Sequence, residues 1–420
     1  MKIAILGSGG REHALANQIK KSKKTDKIYC IPGNAGTGAI GENININLDD
    51  FNGIYNFVNE KQIDLVVVGP EKPLVEGISD FLKEKKIKVF GPSKKASQFE
   101  GSKTFTKNIC KQYGIPTAKF EILKNLEQSI EYLKKVEFPI VIKADGLAAG
   151  KGVYICKDMG NASEAVEEIF NGKFGKAEKI VIEEFLEGEE MSFFIISDGK
   201  TFKKFNTAQD HKRVGVGDTG KNTGGMGAYT PSGLINQELE NKIINKIINP
   251  TLKALNDINE EYIGFLYAGL MIKDNEPYLI EYNVRMGDPE CQTILPLLKS
   301  DFLEIILACC DGKLDEIDIQ WSDKKSLCVV LCSKGYPDTY EKNIEISGLD
   351  KLNLEHDSFI FHAGTTIKND KTIVNGGRVL NFVSISDNYL TSRNTIIDKI
   401  EKLNWSGGFY RSDIGFKIIK

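Results

Sequence analysis

Three short apolar segments in the first hundred residues each end in a glycine-containing turn, and this repetition limits the folds that the chain can adopt. The apolar segments are 3–6, 64–68 and 89–90, and their turns begin at Gly7, Gly69 and Gly91. Apolar runs that alternate with turns and helical patterns are typical of a parallel sheet covered by helices. The sequence therefore predicts a small open α/β domain whose loops hold a phosphorylated substrate.

The first of these turns is a candidate phosphate site. It places Gly9 and Gly10 at the start of a helical pattern, where backbone N–H groups can bind an anion. A dinucleotide fingerprint would need glycine at position 12, which is Glu12, and an acid after the second strand, where residues 32–34 read Pro-Gly-Asn. The sequence therefore disfavours NAD, and we predict that Gly9 and Gly10 bind substrate.

Length and charge indicate a multidomain enzyme that acts on small molecules. A chain of 420 residues is too long for one hydrophobic core. Its 55 Lys and Arg and 58 Asp and Glu nearly balance, which excludes the basic surface expected of a protein that binds nucleic acid or anionic membrane. Eight cysteines without Cys-x-x-Cys spacing argue against a disulfide framework or a zinc cluster. We expect a cytoplasmic monomer with no obligate protein partner and no signal peptide.

A glycine-rich loop after an apolar strand is a candidate nucleotide site. The strand at 138–143 delivers Lys143 into a loop that contains three glycines and a second lysine, Lys151. Glycines let backbone N–H groups approach phosphate oxygens, and lysine supplies a flexible positive charge. Because Gly152 follows Lys151 where a Walker A motif has Ser or Thr, the loop is not a Walker A. The alternative is a plain hairpin turn with exposed lysines.

Two charged segments follow that loop. A strand at 179–182 runs into an acidic corner at 183–190, and such a corner is solvated by default. Residues 209–213 read Gln-Asp-His-Lys-Arg and open a glycine-rich stretch that continues to 227. Loops of this length in compact domains are usually functional or disordered. We therefore predict a long functional loop over 209–227.

The segment 281–290 is the candidate catalytic strand. Side chains of a strand alternate between its faces, so Glu281, Asn283 and Arg285 share one face. Carboxylate and amide oxygens suit a hard cation such as Mg²⁺, and an arginine beside them can offset charge on a transferring phosphoryl group. Asp288 and Glu290 add two further acids. The alternative is the solvent-facing polar side of an edge strand.

The pattern changes from residue 326 onward to short strands, glycine turns and one late helix near 392–403. This predicts a mixed C-terminal domain. The turn at 375–378 ends in Arg378, which is a candidate for binding substrate, although a purely structural turn is an equally good interpretation.

Taken together, nine segments closely resemble the ATP-grasp ligases, and within them the glycinamide ribonucleotide synthetase family. The resemblance covers essentially the whole chain. The segments are GSGGREHA at 7–14, PGNAGT at 32–37, VVGPEKPL at 67–74, EGSK at 100–103, VIKADGLAAGKGV at 141–153, VIEEFLEGEE at 181–190, QDHKR at 209–213, NTGGMGAY at 222–229 and EYNVRMGDPE at 281–290. So many motifs in the same order are far more specific than any single glycine signature.

The resemblance implies a multidomain α/β and α+β fold. An N-terminal open parallel α/β sheet would precede an ATP-grasp fold of two α+β subdomains and a small mixed C-terminal domain. The predicted boundaries are 1–103 for the substrate-phosphate domain, 104–190 for the first ATP-grasp subdomain with its linker and mobile lid, 191–325 for the second subdomain with the metal and catalytic site, and 326–420 for the C-terminal domain. The chain end soon after 411–415 suggests a single-activity enzyme.

The resemblance also implies roles for individual residues. Nucleotide-binding roles fall on Lys103, Lys143, the lid residue Lys151, the adenine hinge Glu183, Glu184 and Leu186, and the ribose ligand Glu189. Glu281 and Asn283 match ligands of Mg²⁺ or Mn²⁺, and Arg285 and Lys143 match catalytic cations. Residues expected to bind substrate are Gly9, Gly10, Asp210, Lys212, Arg213, Asn222, Thr223, Gly224, Asp288 and Arg378. Many ATP-grasp enzymes have a second metal-binding acid on the neighbouring strand, but residues 268–272 contain no carboxylate, which leaves the number of ions open.

The implied reaction belongs to purine biosynthesis. ATP would phosphorylate the carboxylate of glycine, and the amine of 5-phosphoribosylamine would attack the glycyl phosphate to give glycinamide ribonucleotide, ADP and phosphate. One alternative is another ATP-grasp activity, such as a carboxylating enzyme that activates bicarbonate. The motifs at 209–213 and 222–229 favour the glycine-dependent reaction. An NAD-dependent oxidoreductase, suggested only by the first turn, and a non-catalytic nucleotide-binding module are the remaining alternatives.

Overall fold

The N-terminal part of the chain forms the predicted open parallel sheet, in the strand order β3-β2-β1-β4-β5. The computed structural model describes residues 1–147, 152–175, 177–354 and 357–419. The elements of this domain are β1 (Lys2–Gly7), α1 (Gly10–Lys20), β2 (Lys27–Pro32), α2 (Thr37–Ile40), β3 (Glu42–Asn43), α3 (Phe51–Lys61), β4 (Leu65–Val68), α4 (Glu71–Glu76), α5 (Ile78–Glu84) and β5 (Val89–Phe90). The central strands are buried on both faces, as expected of a parallel sheet covered by helices.

Two helices lead from this domain into a small subdomain with its own core. The elements are α6 (Gln98–Gly101), α7 (Lys103–Tyr113), β6 (Phe120–Leu123), α8 (Leu126–Leu133), β7 (Ile140–Ala144), β8 (Val153–Cys156), α9 (Met159–Phe170) and β9 (Ile180–Glu184). The strands form an antiparallel sheet in the order β6-β9-β7-β8. Asn125 and Asp158 cap α8 and α9 through their side chains, which satisfies otherwise free N–H groups. The core of this subdomain is separate from the two larger cores.

The second antiparallel sheet has the order β11-β10-β16-β17. The elements of this region are β10 (Glu189–Asp198), β11 (Phe202–Lys204), β12 (Gln209–Asp210), β13 (Arg213–Gly215), β14 (Thr219–Asn222), β15 (Gly227–Thr230), α10 (Gln237–Ile243), a π-helix (Ile244–Ile248), α11 (Asn249–Asp257), β16 (Ile263–Lys273), β17 (Glu276–Asn283), α12 (Glu290–Ile294), a 3-10 helix (Leu295–Leu297), α13 (Phe302–Cys310) and a 3-10 helix (Leu314–Glu316). β16 and β17 form a hairpin, and both of its turn residues, Asp274 and Asn275, have positive φ.

The C-terminal sheet also takes strands from the glycine-rich stretch. Its elements are β18 (Lys325–Ser333), a 3-10 helix (Leu349–Lys351), β19 (Ser358–His362), β20 (Thr365–Lys368), β21 (Lys371–Val374), β22 (Arg378–Ser386), α14 (Tyr389–Ile400) and β23 (Gly408–Phe409). The sheet order is β12-β15-β18-β22-β19, with β23 also paired to β18. The prediction of a loop over 209–227 is therefore wrong in part, because the short strands β12, β13 and β14 lie there and β15 begins at its last residue. β12 pairs with β15, and β15 pairs with the distant strand β18, which a local pattern cannot indicate.

Two large cores join these regions. Alternate residues of β1 enter different cores: Ile3 and Ile5 join the one shared with the C-terminal sheet, and Ala4 and Leu6 join the one shared with α3 and β16. The N-terminal domain is thereby packed against both neighbours. The multidomain α/β and α+β class predicted from the sequence is confirmed. Within the described ranges, no helix has the length and apolar character needed to cross a membrane.

Candidate active site

A cavity of ≈ 450 Å³ lies where the N-terminal domain, the two antiparallel sheets and the C-terminal sheet meet. The sequence-predicted residues that line it are Lys103, Lys143, Glu183, Glu184, Leu186, Asp210, Lys212, Asn222, Thr223, Gly224, Glu281, Asn283, Arg285, Asp288 and Arg378. Gly9, Gly10, Glu189 and Arg213 lie outside the lining formed by the described residues. Lys151 belongs to 148–151, which fall outside the described residues and make up half of the predicted lid at 145–152.

The end of β17 presents its polar side chains to this cavity. Glu281, Asn283 and Arg285 line it, while Tyr282 and Val284 belong to the hydrophobic core, although Tyr282 also borders the cavity. This is the two-residue alternation expected of a strand. Glu281 pairs across the sheet with Gly269 of β16. The neighbouring strand therefore offers no second metal-binding carboxylate opposite Glu281.

The charge state of Glu281 suits a cation ligand. Burial raises the pKa of its carboxyl group, but the positive charges of Lys212, Lys103 and Lys143 outweigh burial and leave the pKa lowered. The carboxylate is therefore ionised at neutral pH. An ionised carboxylate and the amide oxygen of Asn283 are the donor types that Mg²⁺ accepts while it keeps water and phosphate oxygens in its shell. In the part of the chain that the structure describes, no cluster of three His, Cys, Asp or Glu residues forms a self-sufficient metal site.

Glu183 lies between two buried lysines. Its Oε2 is 3.0 Å from Lys143 Nζ and its Oε1 is 3.2 Å from Lys107 Nζ. Lys143 also donates to the Ile280 carbonyl at 3.1 Å, and Lys107 donates to Thr117 Oγ1 at 2.5 Å. Burial lowers the pKa of Lys107, and Glu183 opposes that effect. The prediction that the acidic corner at 183–190 is solvated is thus wrong for Glu183, which is 4% exposed.

We expect Glu183→Ala to lower the free energy of unfolding by about 3–5 kcal/mol, because two buried ammonium groups would lose their shared carboxylate. Chemical denaturation measures this change. Glu184→Ala is the matched control. The side chain of Glu184 is exposed and accepts one hydrogen bond, from the Lys119 N–H. The control should lose at most about 1 kcal/mol. Equal losses in the two variants would contradict the role of Glu183.

Arg285 is held by acids from the N-terminal side of the cavity. Its Nη2 is 2.6 Å from Glu100 Oε1, its Nε is 3.2 Å from Glu71 Oε2, and its Nη1 donates to the Met286 carbonyl at 3.2 Å. Glu100 Oε2 also accepts the Val284 N–H at 2.8 Å. Burial raises the pKa of Glu71, but Arg285 and a second arginine bring it down to about 2. The guanidinium is therefore fixed by ionic contacts on two sides.

That second arginine and the two acids were not predicted as site residues. Arg11 lines the cavity, and its Nη2 lies 3.9 Å from Glu71 Oε2. Each of these residues lies in one of the nine family motifs, at 7–14, 67–74 and 100–103, so the resemblance could have indicated them. Only the fold shows that α1, α4 and α6 bring them to the end of β17.

Three acids and a lysine form a second ionic group in the cavity. Lys212 Nζ is 2.5 Å from Glu190 Oε2. Burial raises the pKa of Asp210 to about 7; Lys212 opposes this shift, and the charges of Glu290 and Glu190 reinforce it. Glu290 accepts a hydrogen bond from Ser192 Oγ at 3.3 Å. Glu190 and Glu290 line the cavity and were not predicted as ligand-binding residues.

The raised pKa of Asp210 makes stability depend on pH. Between pH 3.8, the ordinary pKa of an aspartate, and about pH 7, Asp210 keeps its proton in the folded protein but has released it in the unfolded chain. The free energy of unfolding therefore falls as pH rises through this range. We expect Asp210→Asn to unfold at a higher temperature than wild type at pH 8, and at the same temperature near pH 4. Thermal unfolding across this range measures the effect. Asp323→Asn, an exposed control, should show no such trend.

Higher stability of wild type than of Asp210→Asn at pH 8 would contradict this electrostatic account.

Asp288 joins three parts of the chain at the edge of the cavity. Its Oδ2 accepts the Arg11 N–H at 3.3 Å at the start of α1, and its Oδ1 accepts Gln292 Nε2 at 2.7 Å and lies 3.3 Å from Arg378 Nη1. Burial raises the pKa of Asp288, but Arg378 and Arg11 outweigh it and the pKa is lowered. Arg378 Nη1 also donates to the Gly224 carbonyl at 2.6 Å.

Gly9 and Gly10, which the sequence predicted to bind substrate, are in close contact with other residues of the protein. The Gly9 N–H donates to Glu12 Oε2 at 2.6 Å. A Cβ at Gly10 would lie 2.3 Å from Asn381 Nδ2, so close packing on the C-terminal sheet requires glycine there. Two other predicted residues also lie outside the cavity lining: Arg213 donates to the Gly220 carbonyl at 2.8 Å within the β13–β14 hairpin, and Glu189 is exposed at the start of β10.

Two antiparallel sheets thus enclose lysines on one side and a carboxylate, an amide and an arginine on the other, and this arrangement defines an ATP-grasp enzyme. Family models agree: those of phosphoribosylglycinamide synthetase match residues 1–100 (N domain), 101–291 (ATP-grasp (A) domain) and 326–417 (C domain). The chain belongs to the phosphoribosylglycinamide synthetase family, which confirms the resemblance found in the sequence.

Similar proteins extend over the whole chain. Phosphoribosylamine–glycine ligases of Brucella melitensis and Haemophilus influenzae are 45% and 46% identical, and both alignments cover 100% of this chain and 99% of the relative. The crystal structure of phosphoribosylamine–glycine ligase from Thermotoga maritima has a TM-score of 0.86 at 36% identity, covering 99% of this chain and 100% of that one. A biotin carboxylase from Campylobacter jejuni has a TM-score of 0.74 at 14% identity, covering 98% and 93%, and shares the fold.

Proposed function

We propose that this chain catalyses the ATP-dependent ligation of glycine to 5-phosphoribosylamine, giving glycinamide ribonucleotide, ADP and phosphate. The full-length similarity to phosphoribosylamine–glycine ligases supports this activity. The observation that carries it is the cavity, in which Lys143, Glu281 and Arg285 share one enclosed space with Asp210 and Arg378. Groups suited to nucleotide phosphates thus adjoin groups suited to an amino acid and a phosphorylated amine.

The nucleotide occupies the side of the cavity formed by the two antiparallel sheets. Lys103 and Lys143 bind its phosphates, since ammonium groups pair with phosphate oxygens, and Lys151 adds a third charge. Glu184 and Leu186 hold the adenine, with Glu183 fixing Lys143 beside them. Glu189, which is exposed outside the cavity lining but directly precedes the lining residue Glu190, binds the ribose hydroxyls at the rim of the cavity. The ion pair of Glu183 and Lys143 supports this arrangement, because it restricts the lysine before the nucleotide arrives.

Glu281 and Asn283 hold a divalent cation, Mg²⁺ or Mn²⁺. When bound, this ion supplies positive charge that offsets the phosphate oxygens during transfer. The ionised state of Glu281 supports this assignment. Arg285 adds a fixed guanidinium that stabilises charge on the transferred phosphoryl group, and its contacts with Glu71 and Glu100 keep it in place.

The acceptor substrates occupy the remainder of the cavity. Asp210 and Glu290 accept hydrogen bonds from the ammonium group of glycine, and Lys212 lies beside its carboxylate. Arg378, with Asp288, Asn222, Thr223 and Gly224 around it, binds the phosphate of 5-phosphoribosylamine, whereas Gly9, Gly10 and Arg213 support the walls of this site.

The reaction follows from this arrangement. The γ-phosphoryl group of ATP passes to the carboxylate of glycine, and the amine of phosphoribosylamine then attacks the carbonyl carbon of glycyl phosphate. Phosphate leaves with the bonding electrons, and the amine releases a proton. Because water hydrolyses an acyl phosphate, an enclosed cavity protects the intermediate.

The test is an omission series that measures ADP. We expect ADP only when glycine, freshly generated phosphoribosylamine, ATP and a divalent cation are all present. ADP formed equally without glycine would refute the proposal, and bicarbonate-dependent ADP release would assign a carboxylating activity. The monomeric state, the cytoplasmic location and the lack of nucleic-acid, membrane or protein partners stay predictions.

A further inference from the structure

The exposed β13–β14 hairpin leads directly into residues that form a wall of the cavity. Arg213 pairs with Asn222 at its open end, and Thr223 and Gly224 follow directly and line the cavity with Asn222. A two-stranded hairpin is marginally stable by itself in water. Direct hydrogen bonds hold the wall residues 222–224, from the Thr223 N–H to the Lys212 carbonyl at 2.8 Å and from the Gly224 N–H to Tyr336 Oη at 3.0 Å. Their position depends in addition on what anchors this hairpin.

Arg411 from the C-terminal end of the chain provides the anchor. It is 1% exposed, which is unusual for an arginine. Its Nη1 donates to Asp218 Oδ1 at 2.7 Å and to the Arg213 carbonyl at 3.0 Å, so one side chain contacts both the turn and the first strand of the hairpin. Hydrogen bonds between ionised groups are among the stronger ones in proteins.

Asp413 fixes Arg411 and also contacts the hairpin directly. Its two carboxylate oxygens accept Arg411 Nε at 2.8 Å and Nη2 at 2.7 Å, which is a bidentate pair. The same carboxylate accepts the Gly217 N–H at 2.8 Å. Gly217 and Asp218 have φ of +70° and 55°, so the turn adopts a left-handed conformation that these contacts stabilise.

The anchor extends to His211, which lies between β12 and the hairpin. The Gly415 N–H donates to His211 Nε2 at 3.1 Å, and Lys417 Nζ lies 3.2 Å from Asp218 Oδ2. Burial lowers the pKa of His211 to about 4, so its ring is neutral and can accept this hydrogen bond. The C-terminal segment thus contacts the turn of the hairpin, its first strand and His211, two residues before that strand.

We propose that Arg411 is a positioning residue for the acceptor side of the cavity. By fixing the hairpin, it fixes the wall 222–224, whose Gly224 carbonyl accepts Arg378 Nη1 at 2.6 Å. This inference rests on the proposed function, in which Arg378 binds the phosphate of 5-phosphoribosylamine. Arg411 itself acts through the hairpin and does not contact substrate.

The test separates the two substrates. Arg411→Ala should raise KM for phosphoribosylamine about tenfold or more, because misplaced binding groups lose affinity, while KM for ATP stays within about twofold. Arg411→Lys should give an intermediate KM, since an ammonium can pair with Asp218 or Asp413 but cannot reproduce the planar set of contacts. Lys221→Ala is the matched control: it removes an exposed ion pair with Asp338 on the same hairpin and should change neither KM.

Hydrogen exchange provides a readout that needs no substrate. In Arg411→Ala, we expect faster exchange over residues 213–224 and unchanged exchange over β7 and β17. If that variant does not fold, Asp218→Asn supplies the same comparison with a smaller expected effect. Unchanged exchange and unchanged KM would overturn the proposal, as would an equal rise of both KM values. Wild-type protein without ligase activity would refute the proposed function, whereas the exchange comparison would still test the anchor.

Discussion

Glu281→Gln is expected to lower kcat by roughly 10²–10³-fold, the range seen when one group that stabilises transition-state charge is removed. The amide keeps the shape of the side chain but loses the charge that a divalent cation requires. The free energy of unfolding should change by no more than about 1 kcal/mol, because surrounding hydrogen-bond capacity is retained. Steady-state kinetics at saturating and limiting Mg²⁺, with denaturation on the same samples, measures both quantities.

Glu276→Gln is the matched control for this substitution. Glu276 lies at the start of the same strand and pairs with Lys242 and Lys246 outside the cavity. Its variant should keep normal turnover at every Mg²⁺ concentration. If Glu281→Gln also retained wild-type activity at limiting Mg²⁺, the assignment of Glu281 as a metal ligand would be refuted.

Arg285→Lys is expected to lower kcat by about 10²-fold or more, although the positive charge is kept. The guanidinium contacts Glu100, Glu71 and the Met286 carbonyl through three different nitrogens. The ammonium group of lysine has a single nitrogen and cannot make these three contacts at once. Its charge would therefore lie closer to one of the two acids and farther from the transferred phosphoryl group. Single-turnover measurement of ADP formation isolates this step from product release.

Arg393→Lys on α14, outside the cavity lining, is the control for the loss of a guanidinium. It should leave ADP formation unchanged. Near-normal single-turnover rates in Arg285→Lys would mean that the arginine serves only to join the N-terminal domain to β17.

The elements that the sequence predicted well are those whose signal is local. Alternation of polar and apolar residues at the end of β17 placed Glu281, Asn283 and Arg285 on one side, because strand geometry depends only on neighbouring residues. The β16–β17 hairpin has a local signal of the same kind, because a turn of Asp274 and Asn275 separates two apolar runs.

What the sequence could not predict depends on residues that are distant in the chain. Lys107 lies in the helix α7, where a lysine normally indicates a solvated face, yet α7, β7 and β9 bring it to Glu183. The strands of 209–230 are short and several contain glycine, so their strand propensity is low. Pairing between strands decides their structure: β15 pairs with the distant β18, and β12 pairs with β15. Arg411 carried no motif signal for the site, because its contacts with Asp218 and Asp413 arise from the fold.

Transfer of a carboxylate oxygen from glycine to phosphate is the most direct test of the central claim that this cavity forms a glycyl phosphate. Glycine labelled with heavy oxygen in its carboxylate would be converted with unlabelled ATP and phosphoribosylamine, and the released phosphate analysed by mass spectrometry. We predict one heavy oxygen atom in each phosphate, since the bond between carbonyl carbon and bridging oxygen breaks when the amine attacks. Phosphate free of heavy oxygen, at full conversion to glycinamide ribonucleotide, would contradict the account.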